Sequence, residues 1–476
     1  MKFYAIGFVI AFLAAYSAGA RDARAADRRP NVVLILTDNQ SAWTLGCYGN
    51  PDIRTPNIDG LARDGMLFER CYSSNGVCSP TRATLLTGLI PSQHGVHSYL
   101  AAGSPQMGPD AHSTIAEFRT LPKILSEAGY KCGLCGKWHL GDNLKPQEGF
   151  TYWVTMPTGH TRTFYSAEVI EDGKVHKEPE YLTKYWTDRG VKFIEENKDK
   201  PFFLYLAYNG PYGLGESMLQ PARNGHAADY ADKELASFPR EKMNPWLRGN
   251  KDLLNNVEAM RRYAAEISGV DDGVGRILAE LKKQKLEDNT LVIFTADQGL
   301  AGGQGGFWGM GDHSRPLAAF DSMTHVPLIY RYPGHIRAET RSNLLVSNYD
   351  FLPTVLDYVG LKGQTPQNPK LPGRSYSGEL SGEHADWDDT VFFEFENTRS
   401  IRTNDWKYIA RFPNGPNELY DLKSDPDERQ NVVDQPSNAA VQKELRGRLE
   451  EFFDRYADPK YDLSRGGKSK APRRTS

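Results

Sequence analysis

The chain has 476 residues, 39% of them hydrophobic and 25% charged, with a formal net charge of -3. That length can bury a sizeable core and suits two domains, and the near-neutral balance points to no nucleic-acid or membrane-surface partner. Five cysteines, an odd number, argue against an exported scaffold that depends on disulfides.

The chain opens on MKFYAIGFVIAFLAAYSAGA, which sets Lys2 before an apolar run and ends on small residues. This is the pattern of a secretory signal peptide, assigned to residues 1–26. An uncleaved anchor is the alternative, because the run is nearly long enough to span a bilayer. A cleaved signal implies a secreted or periplasmic protein with no stable membrane insertion afterwards.

Four apolar runs, NVVLILTDNQ, KCGLCGKWHLG, FFLYLAYNGPYG and TLVIFTADQG, read as buried strands. Helical patterns over residues 121–128, 186–197 and 257–285 lie between them. The alternation predicts an α/β fold with a mostly parallel sheet covered on both faces. Each strand ends in polar residues: Asp38 and Asn39, Lys137 and His139, Asn209 and Tyr212, Asp297 and Gln298. Ligands of open parallel sheets bind beyond the carboxyl ends of the strands, so one crevice would collect all four groups. Cys132 and Cys135 form a lone C-x-x-C inside the second strand and read as core thiols rather than a redox or zinc pair.

The stretch NGVCSPTRATLLTG, residues 75–88, predicts a short helix with Pro80 in its first turn and Gly88 at its end. Cys78 then sits at the helix N-terminus with Arg82 one turn on, a setting that favours an anion and predicts an activated thiolate. Residues 213–256 form a polar insertion expected to lie over the crevice as a lid. After about residue 375 the chain turns linker-like. Short alternating strands and a helix over 438–456 follow, which predicts a smaller α+β domain with an antiparallel sheet over 376–460. The basic end, 461–476, is expected to be disordered.

The pattern C-x-P-x-R at Cys78, followed by ATLLTG, resembles the maturation signature of the formylglycine-dependent sulfatases of the alkaline-phosphatase-like superfamily. GKWHLG at 136–141, the helix and strand ending in TADQG, HVPLIYRYPG, YDFLPTVLDYVGL and ELYDLKSDPDERQNV resemble further stretches of that family, spanning 29–456. The resemblance implies an alkaline-phosphatase-like sheet sandwiched by helices in a catalytic domain over 27–375. It implies a sulfuric ester hydrolase acting on a sulfated small molecule or glycan, carbohydrate or aryl. Cys78 would be oxidised to formylglycine by a formylglycine-generating maturation enzyme while the chain is unfolded. A divalent cation, Ca²⁺, would fall to Asp38, Asn39, Asp297 and Gln298. Arg82 would fix the formylglycine, Lys137 would bind sulfate oxygen, and His139 would take the proton that lets sulfate leave.

The chain also departs from the family pattern. Its metal positions offer two carboxylates and two amides, where a further carboxylate is common. Tyr212 stands where a histidine usually assists the leaving group. A lysine usual upstream of HVP is missing; Arg315 is the nearest substitute for binding substrate, and His313 beside it is the candidate acid. Leu89 replaces an arginine. Two other readings stay open: a phosphate or phosphonate monoester hydrolase on the same fold, and a catalytically silent binder of sulfated ligands. Trp138 is a candidate platform for a sugar ring, against the more ordinary reading as core.

Overall fold

A computed structural model of the chain describes residues 29–383 and 386–472; the segment expected to be a signal peptide, residues 1–26, lies outside them. Its centre is four strands, β1 (Asn31–Asp38), β2 (Lys131–Gly136), β3 (Phe202–Pro211) and β4 (Thr290–Ala296). They run parallel in the order β4-β1-β3-β2. β1 is buried on both sides. Val33 and Ile35 face one core, while Val32, Leu34 and Leu36 face the other. Burial on both faces is why the strand reads as an unbroken apolar run.

Among the described residues the sheet widens to eleven strands. Beyond β4, Leu328–Arg331 and then Met66–Tyr72 pair antiparallel. Beyond β2, Tyr152–Thr155 joins parallel, and a hairpin of Tyr165–Glu171 and Lys174–Tyr181 completes that side. The sheet is thus mostly parallel at its centre, as expected, with antiparallel flanks.

Four helices matter for the site: α1 (Cys78–Thr87), α2 (Leu182–Asn197), α3 (Val257–Lys283) and α4 (Ala439–Tyr456). α2 and α3 cover one face of the sheet, with Trp186, Phe193, Val270 and Ile277 packed against Val33 and Leu204. α3 starts at Asn256, whose side chain accepts from the N–H groups of Glu258 and Ala259. α1 lies on the other face and is buried all round. Its polar side chains therefore need internal partners. Thr87 donates to the Ala83 carbonyl, and Arg82 is held by the site described below.

The smaller sheet is an antiparallel meander of Thr390–Phe395, Thr398–Thr403, Trp406–Arg411 and Glu418–Asp421. α4 lays Leu445, Leu449 and Phe453 on it, one residue per turn. The first of these strands grips the approach to Cys78. The Glu394 N–H donates to the Ser74 carbonyl at 2.9 Å, and Asn75 Nδ2 donates to the Glu394 carbonyl at 2.5 Å.

Residues 461–472 correct the expectation of a disordered tail. Tyr461, Leu463 and Ala471 are buried, and Asp462 pairs with Arg399 at 2.7 Å. The basic composition is misleading because Lys470 has a fixed partner, Glu117, at 2.7 Å. All five cysteines are free. Cys132 and Cys135 belong to the cores on opposite sides of β2, since a strand turns residues three apart to opposite faces. Among the described residues no helix is long and apolar enough to cross a membrane.

Candidate active site

The parallel order of β1 and β4 brings their carboxyl ends side by side. The N–H groups of Asn39 and Gln298 both donate to Asp297 Oδ1, at 3.1 and 2.8 Å. Arg82 reaches in from α1 and gives Nε and Nη2 to Asp297 Oδ2, at 3.0 and 2.8 Å, with Nη2 also 3.6 Å from Asp38 Oδ2. Its remaining nitrogen donates to the Lys137 carbonyl at 2.6 Å. Lys137 Nζ bonds Asp38 Oδ2. All four side chains are fully buried. Two cations against two carboxylates make the cluster neutral in sum, which is what permits its burial.

Cys78 is the first residue of α1, and its Sγ lies with one oxygen each of Asp38 and Asp297 inside a 4.8 Å group. Burial pushes its thiol up to about 12, against the lowering charge of Lys137. The expectation of an activated thiolate is thereby corrected. Arg82 is already committed to Asp297, and desolvation outweighs the helix terminus. Burial, and then the charge of Asp297, also raise the Asp38 carboxyl to about 6 against Lys137 and Arg82.

Asn39, His139 and Tyr212 follow three neighbouring strand ends and share a φ of 59°. That left-handed conformation is costly for residues other than glycine, and three together mark a site. It lets the chain fold back on itself. Asn39 Nδ2 donates to the Tyr212 carbonyl at 2.9 Å, and the Tyr212 N–H donates to the Asp38 carbonyl at 3.0 Å. Gln298 Nε2 donates to Asn39 Oδ1, while Gln298 Oε1 accepts from Thr81 Oγ1 at 3.2 Å.

His139 Nε2 lies 3.0 Å from the Leu100 carbonyl, which can only accept, so Nε2 carries the proton. Nδ1 is buried with no partner. Burial, then the charge of Lys137, holds this imidazole well below its ordinary 6.5, so it is neutral with a bare acceptor at Nδ1. Gly159 passes so close that a Cβ there would sit 2.0 Å from the His139 ring.

A cavity of about 890 Å³ opens beside this cluster, with Tyr99, His160, Tyr212, Met310, Asp312 and His313 on its wall. Tyr212 and Met310 on its wall also approach the buried cluster. The Tyr212 ring centre is 5.4 Å from Lys137 Nζ, and Met310 Sδ is 3.6 Å from Gln298 Nε2. Burial, then the charges of Cys78 and Asp38, holds the Tyr212 hydroxyl well above its ordinary range. His313 Nδ1 is 2.9 Å from Asp312 Oδ1. Burial lowers this imidazole, but Asp312 outweighs it and the net shift is upward.

Several candidates are placed differently from their sequence reading. Arg315 is off the cavity wall; its Nη1 donates to the Asp312 and Ser314 carbonyls, both at 2.7 Å. Met310, which sequence reasoning missed, reaches the floor instead. Asn209 Oδ1 accepts from Trp186 Nε1 at 2.8 Å and holds α2 to β3. Trp138 packs against Trp153 and Phe150 inside the core and offers no platform for a sugar. The insertion borders the cavity through Leu214, Glu216 and Asn250, and the Arg248 N–H donates to the His313 carbonyl at 2.7 Å. Tyr99 and His160 were also missed, because they carry no local motif. The Asp-His doublet at 312–313 was the one signal available for Asp312.

Fold and site define the class: an α/β enzyme whose parallel strands and one cysteine-headed helix deliver two carboxylates and two cations to a single crevice. Residues 30–361 match the sulfatase family model, and residues 313–455 match the model for the C-terminal region of N-sulphoglucosamine sulphohydrolase. The chain is 28% identical to the N-acetylglucosamine-6-O-sulfatase of Bacteroides thetaiotaomicron, over 90% of this chain and 87% of that protein. It is 32% identical to the N-acetylgalactosamine-6-sulfatase of Rattus norvegicus, over 71% of this chain and 64% of that one. A solved structure in complex with its substrate D-glucosamine-2-N,6-O-disulfate superposes with a TM-score of 0.72 at 26% identity, covering 92% of this chain and 100% of that one. The chain belongs to the sulfatase family, whose chemistry is the hydrolysis of sulfate esters.

Proposed function

We propose that this protein is an exported sulfatase that releases sulfate from a carbohydrate, using a formylglycine made from Cys78 and a divalent cation beside it. The observation that carries the reading is the grouping of Cys78 Sγ with Asp38 and Asp297 oxygens at the strand ends. Substrate class is supported by the sugar sulfates named for two relatives and one solved complex, and by a cavity roomy enough for a sulfated sugar with part of its neighbour. Cys78 is only 3% exposed. A maturation enzyme must therefore reach it before the chain folds.

The donor set fits a hard cation. Asp38 Oδ1 is buried without a hydrogen-bond partner, and burial disfavours the charge that a cation would restore. Asp38 and Asp297, with the amide oxygens of Asn39 and Gln298, would hold calcium. When bound, it would polarise the sulfate and lower the pKa of the attacking group, a hydroxyl of the hydrated formylglycine. The chain's own residues do the rest. Lys137 places its ammonium beside Asp38 to bind sulfate oxygen. His139 presents Nδ1 as the acceptor of the proton whose loss lets sulfate depart. His313, whose protonated form Asp312 favours, donates to the leaving alcohol. Tyr212, its hydroxyl held protonated, walls the site.

The reading is tested by the peptide mass of the Cys78 segment from protein co-expressed with a formylglycine-generating enzyme, followed by sulfate release from 6-O-sulfated amino sugars. Conversion removes about 18 Da. Release should then fall on chelation and return with Ca²⁺. A persistent thiol sinks the reading. Full conversion with no release from any sulfated sugar would favour a silent binder.

A further inference from the structure

We infer that the C-terminal strap, residues 457–472, is a positioning element of the catalytic site that holds His139 in place from both sides. The inference rests on the proton-accepting role assigned to His139 above.

Leu100 links that base to the helix of Cys78. Its carbonyl accepts from His139 Nε2 at 3.0 Å and from Gln106 Nε2 at 3.3 Å, while its N–H donates to Ser79 Oγ at 3.1 Å, next to Cys78. Yet residues 95–100 belong to no helix or strand, so no ladder holds them. The strap does. His97 Nε2 donates to the Tyr461 carbonyl at 2.8 Å, and the Lys470 N–H donates to the Gly95 carbonyl at 2.7 Å. Gly95, at φ 81°, lets the Tyr461 ring lie flush against the loop; a Cβ there would be 2.6 Å from it.

The strap also grips the other flank of His139. Lys470 Nζ donates to the Thr114 carbonyl at 2.7 Å. Thr114 in turn gives its N–H and Oγ1 to the carbonyl of Leu140, the residue after His139, at 2.8 and 2.9 Å. The strap is itself anchored. Asp462 accepts from Arg399 at 2.7 Å, and Arg399 is bound to Glu394 at 2.8 Å. The imidazole packs against Gly159 and the His160 ring, and Leu100 supplies the hydrogen bond that sets its Nε2; a shift of about 1 Å in a reacting group can cost roughly a hundredfold in rate.

The test compares the full chain with one ending at Lys460, both carrying the modified Cys78. Amide exchange should speed at least about tenfold across 95–100 in the truncated chain, and kcat should fall about ten- to a hundredfold, with the pH limb of His139 displaced. His97→Leu should reproduce part of the loss, and His97→Gln, which keeps a donor, should restore it. Native exchange or native kcat in a folded truncated chain overturns the inference. If truncation prevents folding, native kcat in His97→Leu overturns it. His139→Ala in the full chain is the separate control: unchanged sulfate release there would fault the base assignment, while exchange would still report whether the strap holds the loop.

Discussion

Lys137 Nζ stands 5.4 Å from the centre of the Tyr212 ring, which lies on the cavity wall. A cation over an aromatic face is favoured, and more so when desolvated. The tyrosine thus serves the site with its ring, while its hydroxyl is held protonated by burial and nearby negative charge. Tyr212→Phe is expected to leave kcat within about threefold, far from the roughly 10²- to 10⁴-fold that loss of a general acid costs. Steady-state kinetics on a sulfated sugar decide it; a hundredfold fall would return the acid role to the hydroxyl.

In the proposed mechanism His313 is the acid, and the sign of its pH dependence follows from Asp312. A general acid works protonated, and its net shift is above 6.5. The alkaline limb of the rate should therefore lie above 6.5, with rate falling as pH rises through it. Asp312→Asn should move the alkaline limb to lower pH. His313→Ala should lower kcat roughly a hundredfold on sugar sulfates but little on a nitrophenyl sulfate, whose leaving group needs no proton. pH–rate profiles on both substrates check this, and an unmoved limb in Asp312→Asn would count against it.

Glu266 gives a stability prediction away from the chemistry. It sits on α3 and accepts from the Tyr181 hydroxyl at 2.5 Å, and burial raises its carboxyl to about 8. The folded protein thus keeps a proton that the unfolded chain loses above the ordinary 4.5. Stability should be full below that value and fall as pH rises toward 8, with a slope of up to about 1.4 kcal/mol per pH unit. Glu266→Gln should flatten this part of the profile. Denaturant unfolding from pH 5 to 8.5 measures it, and an identical slope in both proteins would refute it.

Two glycines separate packing from propensity. A Cβ at Gly159 would overlap the His139 ring at 2.0 Å, so Gly159→Ala should cost about 1–3 kcal/mol of stability and roughly tenfold or more in kcat. Gly447, in α4, has open space at that position. Gly447→Ala should raise stability by up to about 1 kcal/mol and leave kcat alone. Thermal melts and turnover of the two variants test the pair together.

Much of the architecture was legible because it is written locally. The apolar runs of β1 to β4 and the periodicity of α2 and α3 depend on neighbours in sequence, and each emerged within a few residues of its observed limits. The C-x-P-x-R and GKWHLG motifs named Cys78, Arg82, Lys137 and His139; Arg82 reaches the Lys137 carbonyl, and Cys78 lies beside the aspartates at the strand ends. What failed depended on distant partners. Arg315 turned to carbonyls of its own loop, while Met310 lines the cavity beside Gln298. Residues 461–472, expected to be disordered, are tied to Glu117 and Arg399, far away in sequence.

By itself the amino-acid sequence determined the elements, the family likeness and that polar strand ends share one crevice, since ligands of open parallel sheets bind beyond the carboxyl ends of the strands. Only the tertiary structure decided their chemical state. Burial made Cys78 a neutral thiol and His139 a neutral imidazole, and the balance of Arg82 and Lys137 against Asp38 and Asp297 made the cluster tolerable. Desolvation and charge pairing are properties of the assembled space around a group, and no stretch of chain carries them alone.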